Sequence, residues 1–278
     1  MSAKPQTGRR WLLHVGIAVI VLYCLAPFYW MLASAFREPN KQGENTLFPS
    51  PLSMENFKGV FRADVGFGRN LLNSVVVAGI TTILTLILGT FAAYTIARME
   101  FRGKNLVAGV IIAMSMFPVI ALLVPLLRLF TDIGWINTYQ AMIVPSLSFA
   151  LPLTVWVLAT FFRQMPKELE EAAMVDGLTR GQAFRKIIIP LAAPGMFTTA
   201  ILAFIATWNE FIIALTMVNE KSLQTANVAV SKFTGLTGFD SPFGTKMAAG
   251  VILTVPLVIV VLIFQRRIIA GLTAGGVK

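Results

Sequence analysis

Six stretches of this chain run without a single aspartate, glutamate, lysine or arginine: Trp11–Phe36, Asn70–Ala97, Leu106–Leu127, Ile133–Phe162, Ile187–Asn209 and Met247–Gln265. A helix needs roughly 20 apolar residues to cross about 30 Å of hydrocarbon, and each stretch can supply a span. The fourth begins with the polar turn Trp135–Thr138, which places its membrane part nearer Gln140–Phe162. The fifth can continue through Phe211–Leu215 into Val218. The expectation is an all-α, polytopic transmembrane helical bundle in one domain over 1–278. Its spans fall near 11–36, 70–97, 106–127, 140–162, 190–218 and 247–265.

Composition agrees, with 56% hydrophobic residues, 13% charged residues and a mean hydropathy of +0.75. A soluble domain carries about 25% charged residues. The first stretch also resembles a secretory signal, because Arg9 and Arg10 precede it and Ala33-Ser34-Ala35 mimics a cleavage site. A signal's apolar region runs about 7–15 residues, and this one is far longer, so it reads as an uncleaved span.

The net charge of +10 raises the question of nucleic acid, and its distribution answers it. With the N-terminus inside, segments 1–10, 98–105, 163–186 and 266–278 hold 14 of the 23 basic and 5 of the 13 acidic residues. Lysine and arginine accumulate in short cytoplasmic loops. The basic balance is thus a topology signal, with no nucleic acid as partner and both termini cytoplasmic. The lipid bilayer is the first partner implied.

The longest polar run of the second half is the loop 163–190, and it reads as helix–turn–helix. Pro166 suits the first helical position, where a missing N–H costs nothing. Glu168, Glu170 and Glu171 follow where carboxylates complement a helix dipole. Gly177 supplies a left-handed stop, and Thr179 with Gln182 has capping-box spacing for a second helix. Pro190 and Pro194 mark where that helix ends and the next span begins. Met165, Leu169, Ala172 and Ala173 form a narrow apolar stripe. Its small alanines let another backbone approach while Glu171 meets a basic partner; the alternative is an ordinary solvated loop helix.

Glu171-Ala172-Ala173, then Gly177, Ile187 and Pro190, resemble the EAA loop of ATP-binding-cassette importer permeases. That family usually has leucine before the proline, where this chain has Ile189. The resemblance implies the type I importer permease fold. It also implies that Glu171, Ala172, Ala173, Asp176, Gly177, Ile187 and Pro190 couple to an ATPase subunit.

Polar residues inside the spans are the other candidates, since ionisable groups at membrane depth default to function. Glu210 stands between long apolar runs, beside Trp208 and Asn209. An aromatic face with amide and carboxylate acceptors suits sugar hydroxyls; an interfacial anchor or inter-subunit pairing is the alternative. An aromatic-Asn-Glu-Phe run at this place is similar to sugar-type permeases. Asn73, Ser74 and Ser115 can line a substrate path or simply bond neighbouring helices. Pro118, Pro125, Pro145, Pro152 and Pro256 imply bent helices around a path, or kinked packing alone.

Phe264-Gln265-Arg266-Arg267 and the glycine-rich 271–278 are similar to the tail of maltose-importer permeases, and Phe184-Arg185-Lys186 to trehalose-importer permeases. In the maltose-type family this tail reaches between the ATPase subunits; by composition alone it is a flexible end. The resemblance implies a subunit in the inner membrane of a prokaryote. Its partners would be a homologous second permease, an ATPase dimer and an extracytoplasmic solute-binding protein.

No GxxxxGK[ST] loop is present, so ATP and magnesium would reside in the partner ATPases, and this chain has no catalytic residues. His14 and Cys24 are the only residues of their types, which leaves no histidine–cysteine metal cluster. The loops 37–69 and 219–246 are long enough to touch an extracytoplasmic partner, or are connectors. The second, with Gly235, Gly238 and Pro242, reads as irregular. An autonomous ion-coupled carrier is the competing class, disfavoured by the near absence of ionisable groups within the spans.

Overall fold

A computed structural model describes residues 7–44, 46–62, 66–233 and 242–274. In chain order its α-helices are α1 (Thr7–Ala35), α2 (Glu55–Val60), α3 (Phe67–Arg98), α4 (Lys104–Ser115), α5 (Val119–Asp132) and α6 (Tyr139–Gln164). They continue with α7 (Glu168–Val175), α8 (Arg180–Ala183), α9 (Ile189–Trp208), α10 (Ile212–Met217), α11 (Ala226–Ser231) and α12 (Phe243–Ala274). Five helical segments are long and apolar enough to cross a membrane, and α4 with α5 makes a sixth if that bent pair is one span.

The third span, expected over 106–127 with prolines that imply a bend, is indeed bent. It breaks between Ser115 and Val119, and its halves meet at 92°. Pro118 explains the break, because it has no N–H for an α-helical bond and its ring clashes with the preceding turn. It sits extended at the head of α5, with ψ at 121°. Met116 and Phe117 close the end of α4 with bonds to Ala113 O and Met114 O. In contrast, α6 runs through Pro145 and Pro152 as one helix.

The fifth span departs at both ends. Pro190 does not stop a helix, because helical structure continues from Arg180 to Trp208. Phe184–Ile188 widens into a π turn, and the Ile189 N–H bonds to Phe184 O five residues back. The proline, which can give no N–H, follows directly on that shifted register. At the other end the chain leaves the helix at Asn209–Phe211 and restarts as α10. The glycine-rich tail is likewise helical to Ala274, and Gly275–Lys278 lie outside the described residues.

By internal contacts the chain forms two units. The first comprises residues up to Phe67 and Val230–Val255. Within it the segment after α1 folds back onto that helix. Asn56 Nδ2 donates to Ala35 O (3.0 Å) and Arg37 O (2.7 Å), satisfying carbonyls that a helix end leaves orphaned. Arg37 donates to Thr46 O and lies over the Trp30 ring at 5.5 Å. Along Trp11–Trp30, α1 leaves most of its large apolar side chains exposed, a surface suited to lipid rather than water.

The second unit comprises Gly68–Ala229 and the chain from Pro256. Its spine is α6, which contributes to two separate cores. Ala141, Met142 and Ile143 pack with Phe130, Ile213 and Met217 at one end. Val155, Leu158 and Phe162 pack with Ala93, Tyr94, Phe184 and Ile188 at the other. Small residues permit close approach, as membrane helices require. A Cβ on Gly89 of α3 would lie 2.5 Å from Thr154 Cγ2 of α6, and one on Gly195 of α9 would lie 2.7 Å from the Phe161 ring.

Candidate functional site

The loop between α6 and α9 is built almost entirely from local chemistry. The helix α7 starts at Glu168, with Pro166 two residues earlier and so outside the first helical position expected for it. It ends on Gly177, whose φ of +88° a side chain with a Cβ rarely adopts. The Leu178 N–H reaches Ala173 O (3.0 Å) and the Gly177 N–H reaches Met174 O (3.1 Å), the paired bonds of a left-handed helix stop. Thr179 and Gln182 then make the anticipated capping box, each side chain accepting the other's backbone N–H at 3.4 and 2.8 Å.

The outward face of α7 is acidic, while Arg180, Arg185 and Lys186 are exposed beyond it. Glu171, Ala172, Asp176 and Gly177 are exposed, as is Pro190, while Ile187 is half-buried. Of the apolar stripe only Ala173 is buried; Leu169 and Ala172 face out.

The carboxylate that the chain itself engages is Glu170. Its Oε1 lies 3.2 Å from Arg98 Nε, an ion pair whose angle falls short of a hydrogen bond, and its Oε2 accepts from Tyr94 Oη at 3.1 Å. Arg98 also donates from Nη2 to Met165 O at 2.9 Å. The Tyr94 ring meets Phe184 of the π turn at 4.4 Å and Phe162 of α6 at 5.9 Å. Sequence reasoning passed over Tyr94 and Arg98, and read Glu170 only as a first-turn carboxylate. The available signal was one basic residue closing the second apolar stretch and two adjacent glutamates, only one of which can share a helix face with Ala173.

Within the bundle, α5, α6, α9 and α10 line a partly open cavity of about 150 Å³. Its wall is apolar, with Phe149, Leu153 and Leu202, and carries the polar groups of Ser146, Thr154, Thr199, Thr207 and Glu210. Glu210 is not free there. Its two oxygens accept the Ile213 and Ala214 N–H groups at 2.7 and 3.1 Å and so cap α10. Trp208 is 3% exposed and stacks on Phe204 at 5.6 Å, and its carbonyl accepts from Asn227 Nδ2 at 2.7 Å. Asn209 is exposed and donates back to Ile205 O. The three neighbours in sequence thus diverge, and of them only Glu210 lines the cavity.

Asn73 and Ser74 lie at the far end of the unit and hold the segment after α10. Asn73 Nδ2 donates to Ser222 O (2.9 Å) and Gln224 O (3.0 Å), and Ser74 Oγ accepts the Ala226 N–H at 2.9 Å. Asn70, one turn earlier, donates to Lys221 O and Gln224 O. Asn137, with φ at 59°, accepts the N–H groups of Asn219 and Glu220. Residues 219–225 are irregular, as expected, but pinned by these bonds, and Gly235 and Gly238, on which that expectation rested, lie outside the described residues. Ser115 Oγ donates to Ile112 O and is exposed, away from the cavity wall. Among the described residues no group of three or more His, Cys, Asp or Glu is placed to hold a metal ion.

Comparison with known proteins follows this architecture. The sequence profile described as binding-protein-dependent transport system inner membrane component matches residues 70–273. The chain is 44% identical, over 94% of each protein, to the trehalose transport system permease protein SugB of Mycobacterium tuberculosis (strain CDC 1551 / Oshkosh). It is 40% identical, over 99% of each, to the trehalose/maltose transport system permease protein MalG of Thermococcus litoralis. Its fold superimposes, with a TM-score of 0.79 over 96% of this chain and 99% of the other, on a chain from the crystal structure of a bacterial ABC transporter involved in the import of the acidic polysaccharide alginate; the two are 19% identical.

Proposed function

Because this chain belongs to the family of binding-protein-dependent transport system inner membrane components, we propose that it is a permease subunit of an ATP-driven importer of a disaccharide, of trehalose or maltose type. The observation that carries the sugar assignment is the 44% and 40% identity, along nearly the whole chain, to permeases named for those sugars. The chain spans the inner membrane of a prokaryote with both termini inside. It works beside a homologous second permease, a pair of ATPase subunits that hold ATP and magnesium, and an extracytoplasmic binding protein that delivers the sugar.

Each residue then has a role under this reading. Glu171, Ala172, Asp176 and Gly177 offer an acidic, small-residue surface to the ATPase cleft, and Ala173 seats α7 on its own bundle. Ile187 and Pro190 carry the helix that starts at Arg180 into the span α9. ATP closes the ATPase pair, displaces α7 and turns the spans from inward-facing to outward-facing. The hydroxyl-bearing cavity beside Glu210 is too small for a disaccharide, so this subunit contributes a wall of the path rather than a complete sugar site.

Purification from membranes tests the proposal. The chain should bring an ATPase and a second permease with it, and the complex with its binding protein should accumulate labelled trehalose or maltose in vesicles only with ATP. Uptake by this chain reconstituted alone, driven by an ion gradient, would overturn it.

A further inference from the structure

The cytoplasm-directed loop carries two adjacent glutamates with different surroundings. In a helix, residues three apart share a face, whereas adjacent residues are turned about 100° from each other. Glu170 shares the inward face with buried Ala173, and Glu171 is exposed. Both oxygens of Glu170 face groups of α3: Arg98 in its last turn and Tyr94 one turn before. The Arg98 side chain is only 4% exposed, and its guanidinium also holds Met165 O at the end of α6. The Tyr94 ring adds the π turn through Phe184. Four elements, α3, α6, α7 and the turn that opens α9, thus converge on one arginine and one tyrosine.

We propose that Arg98, Tyr94 and Glu170 form an intrachain latch that makes α7 and the end of α3 move as one body, so that a displacement applied at α7 is delivered to the α3 span. This rests on α7 being the element the ATPase moves. The three are positioning residues, because none is offered to a partner. A carboxylate ion-paired through one oxygen and hydrogen-bonded through the other to the same helix is held against it, and a nearly buried guanidinium shared by two helix ends ties those ends together.

Spin labels at Met99 and Val175, in a Cys24→Ser background, measure the coupling directly. Both positions are exposed, Val175 at 86%. The wild-type permease in lipid should give one narrow distance distribution, of the same width with and without ATP in the assembled transporter. Glu170→Gln and Tyr94→Phe should broaden it. In the same complexes, sugar taken up per ATP hydrolysed should fall by about fivefold or more in Glu170→Gln, the scale of a typical coupling between sites. Arg98→Lys, which keeps the charge, should retain part of it.

A distribution in Glu170→Gln as narrow as wild type, or unchanged uptake per ATP, overturns the latch. So does loss of the ATPase from Glu170→Gln alone, since that would make Glu170 a docking contact. If Glu170→Gln does not accumulate, Tyr94→Phe, which deletes one hydroxyl, decides by the same criteria. The distance measurement on the permease in lipid needs neither sugar nor ATPase, so failure of the transport reading and failure of the latch remain distinguishable.

Discussion

Tyr139 donates its hydroxyl to Asn73 Oδ1 at 2.7 Å, at the same amide whose nitrogen holds the Ser222 and Gln224 carbonyls. Both hydrogens of that amide and its oxygen are occupied by the chain itself, and Asn73 is 1% exposed. Asn73→Leu would leave the Ser222 carbonyl and the Tyr139 hydroxyl unpaired, at about 1–3 kcal/mol per buried group, while Gln224 O keeps its bond from Asn70. The variant should therefore melt several degrees lower in detergent, while the KM of surviving transporter for its sugar stays unchanged. A raised KM with unaltered melting would instead put Asn73 in the substrate path.

Orientation is checked by labelling. Single cysteines at Gly43 and at Arg102, in a Cys24→Ser background, should differ: an impermeant maleimide added to intact cells should label the first and not the second. Gly43 has open space around an added Cβ, and Arg102 is exposed, so accessibility within the protein does not limit either. Reversed labelling would place the α7 loop outside, away from any ATPase.

Some of this architecture was legible in the sequence because its causes are local. Gly177, Thr179 and Gln182 lie within six residues of one another, and the stop and cap they build depend on hardly anything else. The break at Pro118 and the π turn before Pro190 were not legible to the same degree. Proline tells that one hydrogen bond is missing, not whether the chain will bend, shift register or continue, as α6 does through Pro145 and Pro152. The roles of Asn73 and Glu170 depended on partners far along the chain, Gln224 and Arg98 among them. A polar residue in an apolar run announces that it needs a partner; it does not say whether the partner is a ligand or a carbonyl 150 residues away.

Glu210 separates those two cases experimentally. As the cap of α10 it accepts two backbone N–H groups, and hydrogen bonds to a charged group contribute about 1.5–3 kcal/mol. Glu210→Gln keeps one carbonyl acceptor and should retain most of its thermal stability. Glu210→Leu keeps none and should lose stability and uptake together. Should Glu210→Leu keep its melting temperature and change only which sugars are taken up, the carboxylate contacts substrate rather than α10.

The approach of α3 to α6 at Gly89 gives a size-compensation test. An added methyl would fall 2.5 Å from Thr154 Cγ2 but 3.3 Å from its Cβ, so the clash is with one methyl group. Gly89→Ala should cost about 1–3 kcal/mol, the usual penalty for overpacking. Thr154→Ser deletes the opposing methyl, and the double variant should recover most of the loss in detergent melting and membrane abundance. Additive losses would show that Gly89 is needed for its backbone freedom, not for its lack of a side chain.

Glu171 is the counterpart of the latched Glu170: adjacent in sequence, exposed, and turned away from the bundle. If its carboxylate meets a basic side chain in the ATPase cleft, truncating it leaves that charge buried and unpaired, at about 2–5 kcal/mol. Glu171→Ala should then release the ATPase from purified complexes, or weaken its hold by tenfold or more, while the spans insert normally. Gly177→Val should weaken the same contact by another route. No atom lies within 4 Å of an added Cβ there, so the only cost is a β-branched residue at a φ of +88°, which tilts the end of α7. Gly177→Asn, which tolerates left-handed backbone, should retain more ATPase than Gly177→Val. The ordering Asn above Val assigns the loss to backbone geometry; equal losses would assign it to a side chain intruding on the partner. Glu171→Ala with its ATPase retained and wild-type uptake would remove that residue from the docking surface.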